Sequence, residues 1–401
     1  MSTRQKRRIA WRLCVVWVSA LAASCYYMGP DVVPVQPETP PGKFLGITDL
    51  APGSNRMRIL FVHGIGVHLG CDPDTLLLHL TKALRVTQQT PPAIDPSETC
   101  AHFALPEPTP IPAPNAQHTG LLYRFDLTSP DRQVTFMYLR WSTLTDVPKT
   151  TLDEPNRPQG ALLHNLAKTF EQQNLADVVL YGGQYRDVLR PVVERALCVF
   201  VGGTPDQTNP RSCGGGEANI PTAIITHSLA GYMLMDAMSD IYQPPAKETV
   251  PAERSAAMKV GHYLDQIFLL ANQLKMLDLS TRTSEEQSSQ VVKRFRATWN
   301  AIHATRQRTE RELSSRQVLA ISDPNDILSW EVTKSEFEVP GITVANIYLG
   351  TAGEIFGLSS VPIWRLAASP FAAHLNYLQD DDVMDIIACG MTGSTINRCT
   401  Q

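Results

Sequence analysis

Short runs of apolar residues alternate along the chain with longer stretches whose apolar positions recur at helical spacing. Uninterrupted apolar runs of four to eight residues are typical of buried strands, and apolar positions three to four residues apart are typical of helices that bury one face. The runs predict strands over 58–62, 121–127, 134–141, 222–225, 266–271, 317–321 and 344–349. The spacing predicts helices over 75–86, 162–170, 188–199 (with a kink or start at Pro191), 228–238, 285–311 and 383–389.

This alternation of strands and helices predicts an α/β fold, a mostly parallel sheet with helices on both faces. The proline-rich residues 92–116 are predicted to form a loop. About 80 residues separate the strand that ends near 141 from the one that begins at 222, and a single crossover helix needs far fewer. The excess predicts a cap insertion between residues 142 and 220. The alternative is a surface excursion of no catalytic consequence.

The N-terminus has the pattern of an export signal. Five basic residues lie among the first 12 positions, and a short apolar run over 13–23 follows. The run is too short to span a bilayer comfortably as a helix. The sequence Leu21-Ala22-Ala23-Ser24-Cys25 resembles a bacterial lipobox, which implies cleavage after residue 24 and a lipid on Cys25. The alternative is an ordinary cleaved signal peptide followed by a chance cysteine.

The rest of the chain divides into a tether and one domain. Residues 25–44 are rich in proline and predict an extended spacer, and 45–401 are expected to form the folded domain. A lipid on Cys25 would anchor the protein in the bacterial cell envelope, facing the periplasm or the exterior. Residues 1–24 carry five basic and no acidic residues, so their removal leaves 30 basic and 39 acidic residues, a net charge of −9. With this charge and no basic stripe, the chain is expected neither to adhere electrostatically to anionic membranes nor to bind nucleic acid.

The cysteines agree with export. Cys14 lies in the signal and Cys25 is the expected lipid site; the remaining six are Cys71, Cys100, Cys198, Cys213, Cys389 and Cys399. An even number in an oxidising compartment suggests disulfides, and sequence neighbours would pair as 71–100, 198–213 and 389–399, although six cysteines allow about 15 pairings. The alternative is scattered buried thiols. No Cys-x-x-Cys or Cys/His cluster indicates a metal site, and none is expected.

Ser228 has the sequence surroundings of a nucleophile. It stands in Thr226-His227-Ser228-Leu229-Ala230-Gly231, between the strand over 222–225 and an apolar helix. A serine needs a sharp strand-to-helix turn to project its hydroxyl into a site, and small residues two before and two after let that turn close. Thr226 is β-branched and bulkier than the pattern prefers. His227 is interpreted as a packed residue of the turn, not as a base.

A second segment joins a strand to a glycine-containing turn. The strand over 58–62 runs into His63-Gly64-Ile65-Gly66, which resembles the His-Gly segment of many lipases and esterases. With the serine turn, it makes residues 55–390 similar to α/β-hydrolases of the lipase and esterase type. The resemblance implies an oxyanion hole, for which Ile65 and Leu229 are expected to supply the N–H groups. His63 is expected to be structural.

In this family the acid and the base follow the serine in that order. His374 is the last histidine and follows the strand over 344–349, so it is the expected base. The acid should lie in a loop after an intervening strand, and 317–321 is followed by two aspartates. Asp326 precedes an apolar pair and is preferred, whereas Asp323 begins an Asp-Pro-Asn turn and is explained by turn chemistry.

The resemblance implies a serine carboxylic-ester hydrolase that acts through an acyl-enzyme on an ester, a lipid ester included, without metal or organic cofactor. An acyltransferase or amidase could use the same triad. A third possibility is a non-enzymatic lipoprotein on a hydrolase scaffold, which would have no reason to keep serine, acid and histidine together.

Overall fold

A computed structural model of the chain describes residues 31–34, 43–50, 55–89, 100–114, 118–152, 171–217, 220–239, 255–279, 290–305, 316–332, 342–350 and 370–399. The strands, in chain order, are β1 (Asp31–Pro34), β2 (Lys43–Phe44), β3 (Arg56–Val62), β4 (Thr87–Gln88), β5 (Thr109–Pro112), β6 (Thr119–Ser129), β7 (Arg132–Arg140), β8 (Gly203–Pro205), β9 (Cys213–Gly215), β10 (Thr222–His227), β11 (Leu264–Leu270), β12 (Gln317–Ser322), β13 (Thr343–Tyr348), β14 (Met391–Thr392) and β15 (Thr395–Ile396).

The helices lie between these strands. In chain order they are α1 (Asp74–Leu84), α2 (Asp146–Thr150), α3 (Ala176–Gly182), α4 (Arg186–Phe200), α5 (Leu229–Ser239), α6 (Ala256–Tyr263), α7 (Leu274–Asp278), α8 (Gln290–Thr305), α9 (Pro370–Leu375) and α10 (Asp381–Cys389). Shorter helical turns cover Ile47–Asp49, Ser142–Leu144, Glu171–Leu175 and Asn376–Gln379.

A ten-stranded sheet forms the centre of the fold, in the order β1-β13-β12-β11-β10-β3-β7-β6-β4, with β5 paired to β6. The strands from β13 to β7 run parallel, and the outer pairings are antiparallel. The prediction of a mixed α/β fold with a mostly parallel sheet flanked by helices is therefore confirmed, and each predicted strand coincides with an observed one. The short strands β1, β4 and β5 and the antiparallel direction of β6 were not predicted.

Both faces of the sheet are covered, which explains the uninterrupted apolar runs. Every residue of β10, β11 and β12 is buried. Along β3 the side chains alternate between two cores: Leu60 and Val62 join α4, α5 and α8, whereas Ile59 and Phe61 join α1 and α10. At about 1.5–3 kcal/mol for each fully buried large apolar side chain, these two layers hold the central strands in place.

The observed helices refine the predictions. Pro191 lies inside α4, which begins earlier, at Arg186, so it is neither the helix start nor its first turn. The predicted helix over 285–311 is observed as α8, and its remainder lies outside the described residues, as does the predicted helix over 162–170. None of the described helices is long and apolar enough to cross a membrane.

The interval from 142 to 220 contains the helix that connects two neighbouring parts of the sheet. Helix α4 packs against α5 and α6 on one face of the sheet and connects β7 to β10, so it is the crossover helix. The predicted cap concerns the residues in excess of this crossover helix and stays a prediction, and residues 153–170 of the interval lie outside the described part.

Parts of the predicted tether and of the predicted loop pair with strands. β1 aligns antiparallel with β13, and β2 pairs with β14. These residues belong to 25–44, so that segment is not free of the domain along its whole length. Within the proline-rich 92–116, β5 pairs antiparallel with β6.

Three disulfides join sequence neighbours. They link Cys71 to Cys100, Cys198 to Cys213 and Cys389 to Cys399, with Cα–Cα distances of 5.2, 5.5 and 5.6 Å. Each closes a loop of 10 to 29 residues, and such links lower the conformational entropy of the unfolded chain. The suggested pairing of neighbours is the one the structure contains.

Candidate active site

Ser228, Asp326 and His374 meet at the carboxyl edge of the parallel strands. Ser228 directly follows β10, and Asp326 lies four residues after the end of β12. His374 lies in α9, in the chain that continues from β13. Because parallel strands deliver their carboxyl ends to one edge of the sheet, three residues distant in sequence come together there.

Ser228 occupies a strained turn. Its φ is +57°, a conformation that residues with a side chain rarely adopt and that costs about 1–3 kcal/mol. Its N–H donates to the Leu270 carbonyl of the neighbouring strand at 2.8 Å, and its own carbonyl accepts from the N–H of Gly231 at 3.3 Å. Thr226 fits despite its branched side chain, because its hydroxyl donates to the Phe268 carbonyl of β11 at 3.3 Å.

A continuous path of hydrogen bonds joins the three side chains. His374 Nε2 lies 2.8 Å from Ser228 Oγ, and His374 Nδ1 lies 3.0 and 2.9 Å from the two carboxylate oxygens of Asp326. With Nδ1 protonated, the imidazole donates to Asp326 and accepts the serine hydroxyl at Nε2. All three residues are buried. A serine held in this way can lose its proton to the imidazole as it attacks.

Asp326 is held by two further donors. The Leu328 N–H donates to Oδ1 at 2.9 Å, and the Tyr377 hydroxyl donates to Oδ2 at 3.1 Å. Burial raises the pKa of Tyr377 well above its ordinary value, and the Asp326 charge adds to the rise, so Tyr377 remains a donor. Sequence reasoning missed Tyr377, although its position three residues after His374, in helical chain, was a signal.

Asp323 has another role in the same loop. Its Oδ1 accepts the Asn325 backbone N–H at 2.7 Å and the Asn325 side-chain amide at 3.0 Å. This is the local turn chemistry expected of an Asp-Pro-Asn segment. The structure thus brings Asp326 to His374 and uses Asp323 in shaping the loop.

His227 supports the backbone that carries His374. Its Nε2–H donates to the His374 carbonyl at 2.8 Å, and its ring is buried. Burial lowers the pKa of His227 well below 6.5, and the neighbouring His374 contributes to the shift. His227 is therefore neutral, in keeping with a packed residue of the turn.

His63 organises the turn after β3. Its Nδ1–H donates to the Gly64 carbonyl at 2.7 Å, and Nε2 accepts the backbone N–H groups of Trp141 and Ser142 at 2.9 and 3.3 Å. The ring stacks on Trp141 with 4.7 Å between centroids. Burial lowers the pKa of His63 well below 6.5, so this ring is also neutral. The contacts are those of a structural histidine.

Because His63 and His227 are buried and neutral, we expect the folded chain to lose stability in mild acid. Their pKa values are below 6.5 in the folded chain and near 6.5 when unfolded, so the unfolded state takes up the protons first as the pH falls. The stability present above pH 6.5 is lost below it, by up to about 1.4 kcal/mol per pH unit for each ring. We expect the free energy of unfolding, from urea titrations, to fall between pH 7 and pH 5.

Two variants separate this effect from general acid sensitivity. His63→Asn removes one neutral ring, so its unfolding free energy should fall less steeply over the same interval. His118 is exposed, and His118→Gln should keep the wild-type pH dependence. An unfolding free energy that is constant from pH 7 to pH 5 would contradict the assignment.

The expected oxyanion donors flank the serine. A Cβ on Gly64 would lie 2.7 Å from Ser228 Cβ, so only glycine lets the turn approach the serine this closely. Ile65 follows Gly64, and Leu229 follows Ser228. Leu229 begins α5, so its N–H has no carbonyl one turn earlier within the helix. Both residues are buried, and their role as oxyanion donors stays a prediction.

A buried ion pair fixes the end of this turn. The Gly66 N–H donates to Asp177 Oδ2 at 2.8 Å, and Lys149 Nζ lies 2.9 Å from the same oxygen and 3.5 Å from the Gly66 carbonyl. Burial raises the pKa of Asp177, an effect that the Lys149 charge and the Gly66 N–H oppose. Lys149 and Asp177 lie 28 residues apart, and no motif marks them, so sequence reasoning missed both.

No group of three or more His, Cys, Asp or Glu side chains within the described ranges could hold a metal ion.

Comparison with known proteins adds little to this geometry. No protein-family profile matches the chain, and no curated protein matches it. Among solved structures, an inhibited esterase B from Lactobacillus rhamnosis is 10% identical to this chain, with 95% of this chain and 96% of the esterase covered and a TM-score of 0.27. A likeness at that TM-score carries no weight for the fold or the activity.

Proposed function

We propose that the chain is a serine hydrolase of the α/β-hydrolase type, which cleaves carboxylic esters with Ser228 as nucleophile, His374 as base and Asp326 as acid. The observation that carries the proposal is the hydrogen-bonded path from Asp326 through His374 to Ser228. The positive φ of Ser228 supports it independently, because backbone strain of this kind persists where a side chain must be presented to a reaction.

The sheet order supports the same fold type. The serine strand β10 lies between β3, which leads into the His63–Gly66 turn, and β11. Nucleophile, acid, base and expected oxyanion donors all follow carboxyl ends of the sheet's strands. In open α/β sheets this edge is where ligands bind.

The proposed reaction has two halves. In the first, Ser228 Oγ attacks the ester carbonyl carbon while His374 Nε2 takes its proton, and the alcohol then leaves with that proton. In the second, water attacks the acyl-enzyme with the same base, and the carboxylic acid is released. Asp326 holds the imidazole orientation and stabilises the imidazolium, while the Ile65 and Leu229 amides stabilise the tetrahedral oxyanion.

The surface around the site favours apolar esters. Five exposed large apolar side chains lie within four residues of Ile65, Asp326 or His374. They are Val67, Leu69, Ile327, Trp330 and Leu375. Single exposed apolar residues are ordinary, but several close to the site in sequence favour an apolar ligand there. We therefore include lipid esters among the substrates.

We also propose a lipid-anchored location in the bacterial cell envelope, through Cys25. The three disulfides support an oxidising compartment. Asp31 begins β1 opposite Tyr348, at the carboxyl end of β13, so the chain enters the sheet at the edge that carries the site. Cys25 precedes Asp31 by six positions, and a lipid there would hold this edge near the membrane.

A panel of p-nitrophenyl esters with acyl chains from two to twelve carbons tests the proposal. We expect hydrolysis of these esters, with kcat/KM rising from the acetate toward the longer chains as the acyl group buries more apolar surface, by roughly 0.8 kcal/mol per buried methylene. Folded protein that hydrolyses none of the panel would overturn the proposal. A kcat/KM that falls steadily with acyl length would overturn its apolar-substrate part.

A further inference from the structure

Gln273 is a buried polar residue next to His374, the proposed base. The proposed mechanism gives Gln273 no role. It lies three residues beyond the end of β11, the strand beside the serine strand, at the N-cap position of α7, where its side chain makes no capping hydrogen bond. Its side chain is fully buried. The loop around it is well fixed, because the neighbouring Asn272 binds the Trp330 carbonyl at 3.0 Å and the Leu274 N–H at 3.0 Å.

The amide end of Gln273 reaches the reacting side of His374. Its Nε2 lies 3.5 Å from His374 Nε2, the nitrogen that faces Ser228 Oγ. Its carbonyl oxygen, Oε1, has no hydrogen-bond partner among the residues that the structure describes. Buried amide oxygens without a partner are uncommon in folded proteins, and functional sites are one place where they occur.

Water and alcohols, the two kinds of acyl acceptor, differ in the number of O–H groups, and this difference indicates a role for Gln273 Oε1. When water attacks the acyl-enzyme, its oxygen bonds to the acyl carbon, one proton goes to His374 Nε2, and the other O–H still needs an acceptor. The bond to Ser228 Oγ then breaks, and the proton on His374 returns to Oγ. An alcohol attacks in the same way, but its single O–H is used by His374.

We propose that Gln273 is a specificity-determining residue that selects water over alcohols as the acyl acceptor. Its Oε1 accepts a hydrogen bond from the second O–H of the attacking water. An attacking alcohol has no second O–H, so Oε1 stays unpaired. When a buried polar group of the site hydrogen-bonds to one acyl acceptor, the site disfavours a second acyl acceptor that leaves the group unpaired. This inference rests on the proposed function and decides between its hydrolase and transferase forms.

The partition of one acyl-enzyme between two acceptors tests the inference. The protein is given an ester in buffer containing methanol, and the ratio of methyl ester to free acid is measured. This ratio depends only on the acyl-enzyme, so it is independent of acylation rate and of the fraction of folded protein. We expect Gln273→Leu to raise the ratio of methyl ester to acid about tenfold. The attack by water loses one hydrogen bond in this variant, and the attack by methanol loses none.

A conservative variant and the wild type complete the test. Gln273→Glu keeps acceptor oxygens at the same position, so its ratio should stay close to that of the wild type, a rescue that a packing role would not predict. Gln273→Met serves as a second apolar variant if Gln273→Leu does not fold. Wild-type protein should use methanol no better than water at equal concentration.

The outcomes separate this inference from the proposed function. An unchanged ratio in the apolar variants, or a wild-type preference for methanol, would overturn the role of Gln273 and leave ester cleavage standing. Wild-type protein that cleaves no ester would remove the proposed function, and the role of Gln273 with it.

Discussion

Ser228→Ala is expected to lower kcat for ester cleavage about a millionfold, the scale on which other serine hydrolases depend on their nucleophile. The alanine has no oxygen to form the acyl-enzyme, and His374 then has no hydroxyl to activate. What remains is the rate supported by the oxyanion donors and by substrate binding. The measurement is kcat at saturating p-nitrophenyl ester, with wild-type and variant prepared in parallel.

The matched control is another buried serine on the helix that follows Ser228. Ser239 donates its hydroxyl to the Asp236 carbonyl at 2.9 Å, at the far end of α5. Ser239→Ala should keep kcat within a few-fold of wild type. Equal losses in the two variants would indicate a structural effect, and full activity in Ser228→Ala would contradict the assignment of the nucleophile.

Asp326→Asn is expected to lower kcat about ten-thousandfold, the loss that this change causes where a carboxylate orients a catalytic histidine. Asp326 accepts the Nδ1–H of His374 through both oxygens, and an amide in its place favours the wrong imidazole tautomer. The amide also cannot stabilise the imidazolium that forms during the attack. The kcat of the variant is measured at saturating ester.

Asp323→Asn provides the comparison within the same loop. Its carboxylate binds Asn325, and an asparagine there can accept the same hydrogen bonds. We expect it to lose less than tenfold in kcat. The reverse order of effects, with Asp323→Asn the more damaging, would reassign the acid.

The sequence predicted the central strands because burial on both faces leaves a clear signal. β10, β11 and β12 consist of residues that are all buried, so their apolar runs stand out. Ser228 comes directly after β10, Asp326 follows β12, and His374 lies further along the chain from β13. The order of the three residues could thus be read before their distances were known.

What the sequence could not predict depends on contacts between distant residues. Gln273 and the Lys149–Asp177 pair belong to no motif, and only the fold brings them to His374 and Gly66. The packing of α4 between the sheet and α5 and α6 could not be predicted either, because a hydropathy pattern does not tell on which layer a helix packs. The pairing of β1 with β13 was missed because its segment is rich in proline, which indicates a spacer.

The positive φ of Ser228 was also beyond the sequence. Thr226 and Ala230 stand where the turn usually has glycines, so the motif alone was ambiguous. In the structure the turn is stabilised from outside, by the Leu270 carbonyl on Ser228 and the Phe268 carbonyl on Thr226. Hydrogen bonds to the neighbouring strand β11 thus stabilise a turn that lacks the usual glycines.

Covalent labelling with a fluorophosphonate, followed by mapping of the modified peptide, tests the central claim most directly. Such probes react with a serine whose hydroxyl is activated by a base. We propose that His374 activates Ser228 in this way, on the basis of the 2.8 Å distance between His374 Nε2 and Ser228 Oγ. We predict one adduct, on the peptide that contains Ser228, absent from Ser228→Ala and retained in Ser239→Ala. Folded wild-type protein that forms no adduct, or forms it at another serine, would contradict the claim.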